Sequence, residues 1–71
     1  MSVVRDVQSQ WVQFDTKMAR LLTQARTTIR NATTWEACFD AYSDFGYGAT
    51  EATMELNREL KKITATIPET H

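Results

Sequence analysis

Seventy-one residues, a net charge of −1, one cysteine and one histidine set narrow limits on this chain. A domain of that length draws only ~3–5 kcal/mol from its own core, and the usual supplements are missing: Cys38 alone makes no intrachain disulfide, and His71 with it makes no zinc cluster. Association with another chain is the supplement that remains.

From Val4 the apolar side chains fall at Val4, Val7, Trp11, Phe14, Met18, Leu21 and Ala25, then Thr28 and Ala32, in alternating steps of three and four. That seam predicts one long helix over about 3–32, with no proline or glycine inside it. A turn is expected at 32–34, where Thr33 and Glu36 have the spacing of a capping box. A second helix then runs over about 34–66, with its seam at Trp35, Cys38, Tyr42, Phe45, Ala49, Ala52, Leu56, Leu60 and Ile63. It ends before Pro68, and 67–71 form a short tail. Gly46 and Gly48 admit a break, since Gly46 has the character of a helix C-cap. The seam keeps its phase across them, and this favours one continuous or gently bent helix.

The expected architecture is therefore all-α, a single domain over 1–71 made of an antiparallel hairpin of two long helices. Folding back at Thr33 pairs Ala25 with Tyr42, Met18 with Ala49, Trp11 with Leu56, Leu21 with Phe45 and Phe14 with Ala52, mostly large against small. The charges agree with that register. Residues 1–32 carry five cations and two anions, and residues 33–71 three cations and seven anions. Arg30 is expected opposite Glu36, Arg26 opposite Asp40, Arg20 opposite Asp44, Lys17 opposite Glu51 and Asp6 opposite Lys61.

Chemistry has little to work with. Cys38 has no histidine to activate it and reads as a buried structural thiol. Glu51, Glu55 and Glu59 share a helix face without the Glu-x-x-His pair of bundle metal sites, so they read as a solvated stripe. Gly46-Tyr47-Gly48 follows no strand and lacks the residues of a phosphate loop. No catalytic residue, metal or cofactor is expected. Lys17, Arg20, Arg26 and Arg30 form a possible basic face for nucleic acid, but the acidic second helix is the expected neutraliser, and the near-neutral charge gives no global case for such a ligand.

Val12, Leu22, Ile29, Phe39, Tyr47 and Met54 fall outside the seam and are expected to form a second contact surface for self-association or partner docking. The expectation is a small non-enzymatic protein acting through protein–protein interaction: a regulator, inhibitor, adaptor or assembly subunit. It would work as a homo-oligomer, with two hairpins pairing into a bundle, and serve a larger macromolecular partner. No stretch approaches the ~18 apolar residues of a membrane span, and Met1 to Trp11 carries Arg5, Asp6 and Gln8 where a signal peptide needs an unbroken apolar core. A cytoplasmic setting follows, in keeping with one unpaired cysteine.

The stretch from Ala32-Thr33-Thr34-Trp35-Glu36-Ala37 through Tyr42 and Tyr47 to Leu60 resembles the C-terminal half of phasins, the helical proteins that coat polyester granules. The resemblance spans less than half of the chain and carries over no individual functional residue. It implies an alternative role as an amphipathic coat on an apolar surface.

Overall fold

The structure is a computed structural model that describes residues 3–66. Two α-helices, α1 (Val3–Asn31) and α2 (Trp35–Ala65), pack against each other as an antiparallel hairpin, with no strand among the described residues. The expected tail at 67–71, with Pro68, lies outside the described residues. At ~1.5 Å per residue each helix is about 45 Å long.

The turn is three residues long, and Thr34 rather than Thr33 caps α2. Its side-chain oxygen accepts a hydrogen bond from the Ala37 amide at 3.2 Å, and its backbone is extended, as an N-cap requires. Ala37 therefore occupies the position that a capping box reserves for Glu or Gln. Glu36 sits one place too early to reach back, and what it supplies instead is negative charge in the first turn, favourable to the helix dipole. Arg30 does the converse in the last turn of α1.

No break interrupts α2 at the glycines, and neither has positive φ. Their roles differ. A Cβ on Gly46 would meet nothing within 4 Å, whereas one on Gly48 would lie 2.6 Å from Leu21 Cδ2. Gly48 is thus the point where α1 comes close to α2.

That approach turns the contact seam by about one residue from the expected one. The side chains buried between the helices are Ala41, Ala52 and Leu56. Half-buried around them lie Val3, Val7, Phe14, Met18, Leu21 and Ala25 of α1, and Ala37, Cys38, Phe45, Gly48, Ala49, Leu60 and Ile63 of α2. Four residues expected in the core are exposed instead: Val4, Trp11, Trp35 and Tyr42, with Trp35 at 75% and Tyr42 at 70%. The cause is steric. Ala41 and Gly48 admit a helix at close range, and the bulkier neighbours Tyr42 and Trp35 are turned to the flank.

The register moves with the seam. Leu21 lies against Gly48 while also lining a cleft with Phe45, and Lys17 pairs with Glu55 one turn beyond Glu51. Arg30–Glu36, Arg26–Asp40, Arg20–Asp44 and Asp6–Lys61 do not close as ion pairs among the described residues. The radius of gyration, 16.8 Å, exceeds the ~11 Å of a compact chain of this length. The hairpin is a rod with a thin interior.

Candidate interaction surface

The two sides of the rod differ in chemistry. On one side Lys17 Nζ donates to Glu55 Oε2 at 2.6 Å, and a shallow cleft of about 280 Å³ is lined by Lys17, Arg20, Leu21, Gly48, Glu51, Ala52 and Glu55. Toward the turn the same side continues as a cleft bordered by Gln24, Thr28, Asp40 and Asp44. The Lys17 ammonium, by hydrogen bond and then by charge, holds the Glu55 carboxyl below its ordinary value, with Arg58 adding a smaller pull.

The other side is largely apolar, with Asp15 and Arg26 of α1 at its edge. Near the turn, Ile29 of α1 joins Trp35, Cys38, Phe39 and Tyr42 of α2 around an open cleft of about 440 Å³ whose wall is entirely apolar. Trp35 and Phe39 lie ring against ring, with centroids 6.3 Å apart. Steps of seven and four continue the surface along both helices, because residues so spaced share one helix face. On α1 the row is Val4, Trp11, Met18, Leu22 and Ile29; on α2 Tyr42 is followed by Ala49, Thr53 and Leu60. Trp11 is 47% exposed and braced edge-on by Phe14, with centroids 5.7 Å apart. Even the hydroxyl is turned inward: Thr53 Oγ1 donates to the Ala49 carbonyl at 2.8 Å, so the surface receives its methyl.

All six residues expected to form the second surface are exposed, but they do not lie together. Leu22, Ile29 and Phe39 belong to the apolar side. Val12 is rotated away from Trp11 onto a row with Arg5 and Arg30, and Tyr47 and Met54 stand on a row with Asp40, Arg58 and Lys61. They are single apolar residues among charges. In their place the structure brings Trp11, Trp35 and Tyr42 to the surface. The seven-residue spacing from Val4 through Trp11 to Met18 and from Leu22 to Ile29 is the signal that unites them.

The expected basic face is divided as well. Lys17 is engaged with Glu55, Arg20 shares a cleft with Glu51 and Glu55, and Arg26 and Arg30 stand exposed farther along α1. The Glu51, Glu55 and Glu59 stripe is likewise split, Glu55 engaging Lys17 and Glu59 accepting from Lys62 at 3.3 Å. Cys38 is half-buried in the apolar cleft wall. No helix of the described residues is long and apolar enough to cross a membrane. Compared with known proteins, the chain matches no family model, no curated protein and no solved structure.

Proposed function

We propose that this chain is a non-enzymatic interaction protein, a regulator, inhibitor, adaptor or assembly subunit, that works by having its apolar face covered by another polypeptide. One observation carries this reading: Val4, Trp11, Leu22, Ile29, Trp35, Phe39 and Tyr42 are exposed on one side of the hairpin while most of the charges gather elsewhere. Contiguous apolar surface on a small protein marks a contact site, whereas isolated apolar residues do not. A reducing, cytoplasmic setting is part of the proposal and rests on the single unpaired thiol of Cys38. The test is affinity capture from cells that make the protein, with the natural chain and a Leu22→Glu/Phe39→Glu variant as baits. Polypeptides held by the first and lost by the second are expected; identical retention by both baits would refute the reading.

The exposed aromatic group Trp35, Phe39 and Tyr42 favours a second reading, a coat on an apolar surface of the kind the phasin resemblance implies, because amphipathic helices with such residues lie in oil–water boundaries. Under this reading the natural chain gathers on emulsified oil droplets and the Leu22→Glu/Phe39→Glu variant stays in the aqueous phase. A natural chain that remains wholly aqueous would rule it out.

A further inference from the structure

We infer that the polypeptide covering the apolar face is a second copy of this chain, packed two-fold with the turns at opposite ends, so that Trp11 of each copy seats in the apolar cleft of the other. This rests on the reading that the face is a protein contact, and it names the occupant.

Area argues for a copy. The chain exposes 5988 Å², about a third more than the roughly 4,500 Å² expected of a compact monomer of 8.1 kDa. A rod of this shape has surface to spare for the ~800 Å² that each partner contributes to a standard interface. A second hairpin of equal length covers such a face from end to end, which a globular partner meeting the rod at one point does not.

Charge permits it. The cleft and the α2 row contain no Asp, Glu, Lys or Arg, and the charges nearest the α1 row, Asp15 and Arg26, are exposed at its edge and opposite in sign, so two copies can meet with both left at the rim. Each copy carries a net charge of only −1, and the Lys17–Glu55 side points outward to solvent in both.

Dimensions select the orientation. Trp11 lies eight residues into α1, about 12 Å from the open end of the hairpin, and the cleft residues Trp35 to Tyr42 occupy the first ~11 Å of α2 at the turn end. Inverting one copy against the other places these heights side by side, and the two-fold relation makes the contact twice. The cleft, about 440 Å³ and wholly apolar, has room for an indole. With the turns at the same end, Trp11 of one copy would meet Trp11 of the other, and both clefts would stay empty.

Within one hairpin, Gln8 and Cys38 stand about 30 Å apart along the rod. In the inverted dimer they come to nearly the same height on facing copies. The experiment therefore sediments the natural chain across a dilution series and, in parallel, treats a Gln8→Cys variant, which keeps Trp11, with a bis-maleimide too short to bridge the two thiols of one hairpin. A dimer is expected for the natural chain and a covalent dimer joining residue 8 to Cys38 for the variant, the latter abolished by a further Cys38→Ser change. Phe39→Glu should raise the dimer dissociation constant about 30-fold or more, and Met54→Glu on the outer row should leave it unchanged. A dimeric natural chain whose Gln8→Cys variant gives no Cys38-dependent covalent dimer overturns the orientation. A monomeric natural chain overturns the inference altogether; if the Leu22→Glu/Phe39→Glu bait still loses polypeptides, the reading of the face survives with another occupant, and if it does not, both fall.

Discussion

At Gly48 a methyl group would land 2.6 Å from Leu21 Cδ2, and at Gly46 it would meet open space, although both residues sit in the same unbroken helix. Gly46→Ala should therefore stabilise the protein by about 1 kcal/mol, the difference in helix propensity. Gly48→Ala should lose that gain to overpacking, which costs about 1–3 kcal/mol where neighbours cannot relax. Urea unfolding of the two variants checks this, and equal stabilisation by both would show that the Leu21 side chain gives way to a methyl at residue 48. Glu55 supplies a pH signature. Its carboxyl is held below the usual 4.5 by Lys17, so the ion pair contributes fully above that value and is lost as pH falls through the lowered one. Both partners are well exposed, and the effect is small. Glu55→Gln should flatten the acid side of the stability profile in unfolding experiments at stepped pH, and an unaltered profile would mean that the contact with Lys17 contributes nothing.

The two helices and the turn between them were legible because their signals are local. The three-four rhythm runs from Val4 to Ala25 and again from Trp35 to Ile63, and no proline interrupts either run. Thr33 and Thr34 were harder to tell apart, since both are good caps and only the placement of Ala37 at the third helical position distinguishes them. Thr34→Ala should cost about 1 kcal/mol and Thr33→Ala only a few tenths, read by thermal unfolding under far-UV circular dichroism; the reverse order would move the start of α2. Continuity of α2 is tested by hydrogen exchange, where amides from Phe45 to Ala49 should be protected like those of the flanking turns. Which arc of each helix turns inward was not legible, because each helix carries an apolar arc wider than one partner covers. Hydrophobicity alone sends Trp11 and Tyr42 to the centre. Close approach instead admits Ala41 and Gly48 and leaves the aromatic residues at the flank, a choice made by fit between helices that no single helix encodes. The neighbours of Val12, Tyr47 and Met54 along their own helices, by contrast, are set by spacing alone and were legible: Arg5 and Arg30 flank the first, and Asp40, Arg58 and Lys61 the other two.

For the molecule as a whole, it is decisive that no large side chain among the described residues is fully enclosed. Among them Leu56 is the one large side chain buried between the helices, alongside Ala41 and Ala52, and this is little against the ~1–2 kcal/mol of backbone entropy fixed per ordered residue. Under the proposed reading a hairpin this thin gains stability from whatever covers its apolar side, and its folding is then coupled to that contact by mass action. The most direct measurement is helicity by circular dichroism as the pure natural chain is diluted, with mass followed by sedimentation over the same range. Helicity should fall together with the loss of the associated species. Full helicity in a strictly monomeric chain at every concentration would contradict the dependence of this fold on a covered apolar face.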